Sequence, residues 1–156
     1  MIKVLLFDLS RVLLFSKDSN YKGDLNPLHK ELSLRKSYNF LDYFELNEEL
    51  LKFLVGLKDK YKLYIFTSGT IQNAPEIKGR LDEVFYGIYS SENIGFSKKD
   101  PKAYEYIAQE LRIRPQEILF VDNREENLEV AKSVGYCVLQ YQTNEKIIEE
   151  INKLLM

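Results

Sequence analysis

Short, unbroken runs of apolar residues recur along the chain, and stretches with helical spacing of apolar positions lie between them. The first run, Ile2 to Leu9, reads IKVLLFDL and is dominated by aliphatic and aromatic residues. A run of this length without polar alternation is typical of a strand that is buried on both faces of a parallel sheet. We therefore expect this run to form the central strand, with the other elements arranged around it.

Four further runs have the same strand-like character, and helices are predicted between them from apolar spacing and from capping residues such as Asn47 and Gly135. The further strands are predicted at Lys62 to Phe66, Gly87 to Ser91, Glu117 to Val121 and Tyr136 to Tyr141, and the helices at Leu46 to Tyr61, Pro75 to Phe85, Asp100 to Leu111, Glu125 to Val134 and Thr143 to Leu155. Strands that alternate with helices indicate parallel βαβ units with right-handed crossovers.

The stretch between the first two predicted strands is the least regular part of the sequence. Residues 10–15 are mostly apolar, and we interpret them as a tight turn that returns as a short hairpin. Residues 16–26 have the composition of a loop, and one or two short helices are predicted within Pro27 to Tyr43. We expect residues 1–156 to form a single domain in which residues 16–46 are a short insert.

The composition is that of an ordinary soluble globular protein. The chain has 156 residues, of which 45% are hydrophobic and 29% are charged, and its net charge is −2. So small a net charge gives no reason to expect nucleic acid or an anionic membrane as a partner. The apolar runs are too short to span a bilayer, and no signal-peptide cleavage site follows the first. With a single cysteine, Cys137, these features favour a cytoplasmic location.

Polar side chains directly follow three of the predicted strands. Asp8 ends the first strand, Thr67 follows the second and Asp122 follows the fourth. Lys98 stands just before the helix that begins at Asp100. The carboxyl ends of parallel strands meet at one edge of the sheet, where open α/β sheets bind ligands. Because a carboxylate can attack phosphorus while a hydroxyl and an ammonium group neutralise phosphoryl oxygens, these residue types predict phosphoryl transfer.

Each of these residues also has an ordinary structural interpretation. Asp8 alone is consistent with a turn cap, Thr67 with a satisfied turn hydroxyl, and Asp122 with an N-cap for the following helix. Lys98 and its neighbour Lys99 are consistent with solvated loop lysines. The occurrence of all the polar groups in order along the chain is what favours a common site.

The order of four sequence stretches resembles that of the haloacid dehalogenase superfamily. These stretches are FDLSRVL, YIFTSG, GFSKKDP and ILFVDNREENLEVAKSVG, and the resemblance covers nearly all of the chain apart from residues 16–44. It implies a three-layer, Rossmann-like α/β sandwich with a central parallel sheet of five strands. It also implies that residues 16–46 are a very short form of the cap domain found in this family.

Carried over by position, the resemblance implies a catalytic set. Asp8 would be the nucleophile, while Thr67 would hydrogen-bond the phosphoryl group. Lys98 would lie against Asp8 and the phosphate. Because Lys99 replaces the proline that often follows this lysine in the family, Lys98 and Lys99 remain alternatives, and Lys99 is a candidate substrate-binding residue.

The resemblance further implies a Mg²⁺ site and a set of substrate contacts. Asp8, Asp122 and the backbone carbonyl of Ser10 would bind the metal, because Mg²⁺ prefers oxygen ligands. Ser10 would also contact the substrate, and the backbone amide of Ser68 would lie beside the phosphoryl group.

The sequence departs from the family pattern in three ways. Ser10 stands where the phosphatases usually carry a second Asp, whose acid–base assistance is typically worth about 10²–10⁴-fold in rate. Asn123 stands where a second acidic residue is frequent, so we expect the Mg²⁺ affinity to be modest. The insert is too short for the usual helical cap, which predicts an open site. We interpret His29, in this insert, as a surface residue, and a substrate-binding or proton-relay role is the alternative.

Three functions remain open at this point. The first is a Mg²⁺-dependent phosphatase or phosphotransferase that works through an aspartyl-phosphate on Asp8 and acts on a small phosphorylated substrate or a phosphorylated macromolecule. The second is a metal-independent, dehalogenase-type hydrolase in which Asp8 attacks carbon, although Asp122 at the metal position argues against it. The third is a catalytically weak domain that binds a phosphorylated ligand. Ser10 and Asn123, which depart from the family pattern, are the reason to consider it. The sequence specifies neither the substrate nor the oligomeric state.

Overall fold

Seven strands and eight helices follow one another in the computed structural model, which describes residues 1–156. The strands are β1 (Val4–Phe7), β2 (Leu14–Ser16), β3 (Phe44–Leu46), β4 (Lys62–Thr67), β5 (Gly87–Ser90), β6 (Ile118–Asp122) and β7 (Cys137–Gln140). The helices are α1 (Leu25–Leu32), α2 (Phe40–Tyr43), α3 (Glu48–Val55), α4 (Pro75–Val84), α5 (Ser91–Ile94), α6 (Pro101–Leu111), α7 (Glu125–Val134) and α8 (Asn144–Leu155). None of these helices combines the length and apolar character that crossing a membrane requires.

Five of the strands form one parallel sheet in the order β5-β4-β1-β6-β7. β1 lies in the middle, where it pairs with β4 on one side and β6 on the other, and all four of its residues are buried. The predicted five-stranded parallel sheet with the first strand at its centre is therefore confirmed. A strand in this position needs no polar alternation because helices cover both faces of the sheet.

Alternate residues of β1 enter two separate apolar layers. Leu5 and Phe7 belong to a core that also contains buried residues of α3, α4 and α8. Val4 and Leu6 belong to a second core, which is shared with α6 and α7. Because successive side chains of a strand point to opposite faces, β1 joins the two layers into a three-layer sandwich.

The residues after β1 make the predicted tight turn, but the predicted hairpin is wrong. The turn closes when the amides of Leu13 and Leu14 donate to the Leu9 carbonyl at 2.9 Å, and Arg11 adopts a left-handed conformation with φ of 61°. The strand that follows, β2, pairs antiparallel with β3 instead of returning on β1. Residues 16–46 therefore leave and rejoin the sheet domain through one two-stranded ribbon.

His29 lies in an aromatic cluster of residues 16–46 and is half-buried, which corrects the prediction of a surface residue. Its Nδ1 is 2.8 Å from the hydroxyl of Tyr38, and its ring packs edge-on against Phe40 with centroids 5.3 Å apart. Burial among these rings lowers the pKa of His29. The two short helices predicted for this stretch are present as α1 and α2.

Glu117, just before β6, holds the start of the sheet through contacts that depend on its charge. Its carboxylate accepts hydrogen bonds from Lys3 Nζ at 2.8 Å and from the Arg114 amide at 2.9 Å. These contacts, led by the one from Lys3, lower the pKa of Glu117 to about 2. A carboxyl whose pKa is lower in the folded chain than in the unfolded chain stabilises the fold above its ordinary pKa, and this stabilisation is lost as the pH falls.

We expect Glu117→Gln to lower the melting temperature at pH 7, because the substitution removes an ionised partner of Lys3. The difference from the wild type should shrink below pH 4.5, the ordinary pKa of a glutamate, and vanish near pH 2. Thermal unfolding followed by circular dichroism from pH 2 to pH 7 measures this difference in melting temperature. Glu149→Gln, which breaks an exposed pair with Lys153, is the matched control with little effect. If the melting temperature of Glu117→Gln stayed below that of the wild type by the same amount down to pH 2, the stabilising role of the Glu117 charge would be contradicted.

Candidate active site

The loops that follow β1, β4 and β6 meet at one edge of the sheet and line a cleft of about 310 Å³. A single one of its lining residues is hydrophobic. The lining residues are Asp8, Ser10, Arg11, Asp24, Leu25, Asn26, Pro27, Thr67, Ser68, Gly69, Lys98, Asn123, Arg124 and Asn127. Such a surface is suited to a small, strongly polar ligand.

A buried cluster of charges lies at the floor of this cleft, which Asp8 and Lys98 line and behind which Asp122 is fully buried. Lys98 Nζ lies 2.5 Å from Oδ1 of Asp8 and 3.3 Å from Oδ2 of Asp122. The three side chains are 5%, 10% and 0% exposed, respectively. Ionised groups are stable at such depth only when they are paired, so each member of the cluster depends on the others. The structure thus brings together the carboxylates and the lysine that the motif order had placed at one edge.

Lys98, and not Lys99, occupies the cleft. Its ammonium group lies 5.3 Å from the ring centroid of Phe66 and 5.7 Å from that of Phe120, and the buried hydroxyl of Tyr104 donates to the Lys98 carbonyl at 2.7 Å. Lys99 is exposed and does not line the cleft. The position of Lys99 therefore does not fit its predicted role as a substrate-binding residue. The buried position beside Asp8 is occupied by Lys98.

Burial and the neighbouring charge of Lys98 act in opposite directions on the acidity of Asp8. Burial raises the pKa of Asp8 to about 7, while the ammonium of Lys98 opposes this shift and the carboxylate of Asp122 adds to it. The Leu9 amide donates to Oδ1 of Asp8 at 2.8 Å and fixes that oxygen. Because a nearby positive charge favours the ionised form of a carboxyl, a cation that binds here would promote the nucleophilic form of Asp8.

Asp122 is fixed by the start of α7, in a way that the sequence analysis did not identify. Its Oδ1 accepts from the Arg124 amide at 2.9 Å, and its Oδ2 accepts from Asn127 Nδ2 at 3.1 Å. The N-cap of α7 is Arg124, so Asp122 is not the helix cap considered above. Asn127 is buried in the first turn of α7 and lines the cleft. The signal for it in the sequence is that an Asn is frequent at this position in the family that the chain resembles, and from the sequence alone we interpret it as structural.

The other predicted residues also line the cleft, and two of them offer free hydrogen-bonding groups. Thr67 ends β4 and is 1% exposed, and its hydroxyl makes no hydrogen bond to another protein group. Ser68 follows it, so its amide is on the same loop. The backbone carbonyl of Ser10 accepts no hydrogen bond from the main chain. An unpaired hydroxyl and an unpaired carbonyl beside buried carboxylates are groups that a bound ligand or cation would satisfy.

The oxygen atoms at the cleft floor fit a magnesium ion. Asp8, Asp122 and the Ser10 carbonyl supply hard oxygen donors, which Mg²⁺ prefers. The side-chain amide of Asn123 lies 3.1 Å from Oδ1 of Asp122 and 3.2 Å from Oδ2 of Asp8, with its nitrogen donating to both. No group of three or more histidine, cysteine, aspartate or glutamate side chains is spaced to hold a metal by itself. A Mg²⁺ ion held by so few protein oxygens would complete its coordination with waters and phosphate oxygens.

Residues 21–27, the cleft segment, cross the mouth of the site and are held by all three loops. Arg11, from the loop after β1, donates to the Gly23 carbonyl at 2.5 Å and to the Tyr21 carbonyl at 3.3 Å. Arg124, from the loop after β6, pairs with Asp24 at 2.6 Å. These contacts fix the cleft segment over the mouth of the site.

The loop after β4 makes the third attachment of the cleft segment. Oδ1 of Asn26 accepts from the amides of Thr70 and Ile71 at 3.1 and 2.9 Å. Gly69 permits this approach, because a Cβ atom at that position would meet the Asn26 side chain at a clashing distance. Sequence reasoning missed Arg11, Asp24, Asn26 and Arg124, since nothing in a local pattern pairs residues so far apart.

A doubly wound parallel sheet with paired carboxylates and a lysine at its carboxyl edge defines an α/β protein with a candidate phosphate site. The chain belongs to the haloacid dehalogenase-like hydrolases: the model of that family, described as a haloacid dehalogenase-like hydrolase, matches residues 16–135. Asp8 and Ser10 precede the matched residues, so their place in the site rests on the geometry described above.

Curated relatives of the chain include several phosphatases. The chain is 36% identical over 83 residues to enolase-phosphatase E1 of Aquifex aeolicus, a match that covers 50% of the chain and 36% of the relative. It is 24% identical over 143 residues to D-ribitol-5-phosphate phosphatase of Bacteroides thetaiotaomicron, covering 85% and 68%. The chain thus spans about a third of the length of the enolase-phosphatase it matches.

Solved structures share the fold. A haloacid dehalogenase family enzyme from Bacteroides thetaiotaomicron, in complex with magnesium and inorganic phosphate, superposes with a TM-score of 0.70 at 18% identity and covers 92% of this chain and 96% of its own. A predicted family hydrolase from Porphyromonas gingivalis superposes with a TM-score of 0.75 at 19% identity, covering 99% and 98%. The predicted fold is confirmed by these similarities.

We expect Lys98→Met to lower the free energy of unfolding by about 3–5 kcal/mol at neutral pH, because it leaves two buried carboxylates without a cation. In the double variant Lys98→Met/Asp8→Asn the loss should be smaller than the sum of the two single losses, because one of the unpaired charges is removed as well. Urea unfolding of the four proteins measures the coupling.

The control for this cycle is Lys99→Met, the same substitution at the exposed neighbour. It should change stability by no more than about 0.5 kcal/mol, as surface substitutions usually do. Equal losses for Lys98→Met and Lys99→Met would contradict the assignment of Lys98 to the cleft floor.

Proposed function

We propose that this chain is a Mg²⁺-dependent phosphatase or phosphotransferase that acts through an aspartyl-phosphate on Asp8. The observation that carries the proposal is the contact of Lys98 Nζ with both Asp8 and Asp122 at the floor of a polar cleft, at 2.5 and 3.3 Å. The phosphatase names of its relatives support the same chemistry. Because the match to the enolase-phosphatases covers about a third of their length, the substrate class proposed is broader: a small phosphorylated molecule.

In the first step, an oxygen of Asp8 attacks the phosphorus of the substrate and forms a P–O bond. The bond from phosphorus to the leaving oxygen breaks, and its electron pair stays on that oxygen. The hydroxyl of Thr67 and the amide of Ser68 donate to the phosphoryl oxygens, and the ammonium of Lys98 offsets their charge. These donors are held in place before the reaction, so they stabilise charge without reorganising.

The oxygen donors described above would hold a Mg²⁺ ion in this mechanism. Asp8, Asp122 and the Ser10 carbonyl are its proposed protein ligands, and rotation of the Asn123 amide would turn an oxygen toward it. When bound, the ion supplies positive charge that offsets the charge on the phosphoryl oxygens. Because Lys98 offsets part of the negative charge of the two carboxylates, the net charge that attracts Mg²⁺ is small. This is in keeping with the modest Mg²⁺ affinity expected from the sequence.

In the second step, a water oxygen attacks the phosphorus, the bond to Asp8 breaks and the carboxylate is restored. The water proton passes to a phosphate oxygen, and phosphate leaves. Ser10 cannot protonate a leaving group near neutral pH, so the leaving oxygen departs with its charge in the first step. Esters whose leaving groups are acidic, such as acyl and aryl phosphates, should therefore react faster than alkyl phosphates.

We expect Asp8→Asn to lower the hydrolysis of p-nitrophenyl phosphate and acetyl phosphate by roughly 10³-fold or more, because the variant lacks the nucleophile. Phosphate release in the presence of Mg²⁺ measures it, and excess chelator should remove the wild-type activity. Asp59→Asn is the matched control, since Asp59 is exposed and lies outside the cleft.

Undiminished turnover in Asp8→Asn would contradict the nucleophile role. Activity of the wild type on 2-haloacids in excess chelator would contradict the proposed chemistry and favour attack on carbon. Phosphate binding by the wild type without turnover of any ester would favour a binding domain instead.

A second prediction concerns the position of the missing acid. We expect Ser10→Asp to raise the rate on alkyl phosphates by about tenfold or more, since a carboxylic acid can protonate the leaving oxygen. The rate on acyl phosphates should change little, because their leaving group needs no proton. Ser10→Asn, which has the same shape without an acid, is the control. An equal gain on both classes of ester would show that Ser10 affects something other than the departure of the leaving group.

A further inference from the structure

We propose that Arg11 and Arg124 form an anion-binding subsite at the cleft mouth that selects phosphomonoesters carrying a second anionic group, such as a carboxylate. The inference rests on the proposed function and deepens it by naming the class of substrate. Neither arginine belongs to the catalytic set, and both line the cleft.

The guanidinium of Arg11 faces the cleft without an acidic partner. Its two hydrogen bonds go to the main-chain carbonyls of Gly23 and Tyr21, and no carboxylate of the protein lies within ion-pair distance of it. Carbonyl acceptors fix the orientation of a guanidinium but leave its charge uncompensated. A guanidinium has five donors in a planar fork, so donors remain for a ligand oxygen.

The backbone at Arg11 is consistent with a functional placement. Arg11 has a φ of 61°, a conformation that is unfavourable for a residue with a side chain and that glycine or asparagine would adopt more readily. The tight turn after β1 thus holds an arginine where a smaller residue would strain less. Residues kept in such conformations cluster at binding sites, where the surrounding structure holds them.

Arg124 carries the second guanidinium, and its present partner is easily displaced. Its side chain is 49% exposed, and that of Asp24, 2.6 Å away, is 65% exposed. An exposed pair of this kind contributes little stability, so a carboxylate of a ligand can take the place of Asp24. Asp24 occupies the N-cap position of α1 without making a capping hydrogen bond, so its release would not weaken the helix.

The balance of charge along the cleft assigns the sign of the ligand. At the floor, Lys98 is shared by two carboxylates, so it is not available to a distant part of the substrate. At the mouth, two guanidinium groups face a single carboxylate, that of Asp24. A hydrophobic leaving group finds almost no apolar surface here. A neutral polyol leaves the charge of Arg11 unpaired, whereas a carboxylate pairs with it.

The test uses pairs of phosphomonoesters that differ only at the far end of the molecule. Two such pairs are 3-phosphoglycerate with glycerol 3-phosphate and 6-phosphogluconate with glucitol 6-phosphate, in each of which a carboxylate replaces a hydroxymethyl group. In the wild type, kcat/KM should be about tenfold to a hundredfold higher for the anionic member, the range expected of charge-assisted hydrogen bonds.

Variants assign this preference to the two arginines. Arg11→Gln and Arg124→Gln should each lower kcat/KM more for the anionic member than for the neutral member, so that the ratio between the two falls, while Arg11→Lys should keep part of the preference. Arg112→Gln is the matched control, because Arg112 is also an arginine in the left-handed conformation but is exposed outside the cleft.

Asp24→Asn separates anion binding from a purely structural role of the ion pair. Removing the competing carboxylate should lower KM for the anionic member several-fold, whereas a structural role would predict a loss for both members. Equal kcat/KM for the two members in the wild type would overturn the subsite, and so would a preference that survives Arg11→Gln and Arg124→Gln.

A binding measurement keeps this result distinct from the proposed function. Calorimetric titration of Asp8→Asn protein with both members of each pair in the presence of Mg²⁺ should show tighter binding of the anionic member. Such a preference without turnover by the wild type would support the subsite and contradict the phosphatase. Turnover without any preference in kcat/KM or in binding would do the reverse, and the absence of both would overturn both.

Discussion

The structure depends on one buried interaction, the sharing of Lys98 between Asp8 and Asp122. β1 and β6 are neighbours in register, with Phe7 opposite Val121, so Asp8, directly after β1, and Asp122, the last residue of β6, stand side by side. Adjacent strands are about 4.8 Å apart, which is too close for two buried negative charges without a cation between them. The order of the strands therefore brings two carboxylates together in a buried position, where they are unstable without a positive charge nearby. Lys98 supplies part of that charge, and the other residues of the site surround this cluster.

The same constraint explains why parts of the site were visible in the sequence. Asp8, Thr67 and Asp122 each stand at the carboxyl end of a strand that is recognisable from local hydrophobicity, and the topology of a parallel sheet brings such strand ends to one edge. Lys98 stands in a loop, and loops lack the periodicity that would distinguish it from Lys99. The contacts of one ammonium group with two buried carboxylates and two aromatic rings decide between them.

The rest of the site could not be predicted, because it depends on contacts between distant parts of the chain. Arg124 and Asp24 are separated by 100 positions, and Asn26 and Thr70 by 44. The pairing of β2 with β3 and the aromatic surroundings of His29 are of the same kind. Such contacts follow from how residues 16–46 lie on the sheet domain, and no local pattern of hydrophobic and polar positions carries that information.

The chemical difference between lysine and arginine explains why a lysine lies at the floor of the cleft and arginines lie at its mouth. At the floor, a compact ammonium group can be shared by two carboxylates from adjacent strands in little space. At the mouth, which remains open to water, a point charge would be heavily screened, whereas the planar fork of a guanidinium keeps directional hydrogen bonds. A site with so short a cover excludes little water, so it cannot rely on closure for selectivity. Under the proposed function, arginines fixed at an open mouth supply the specificity, and the cleft segment orients them.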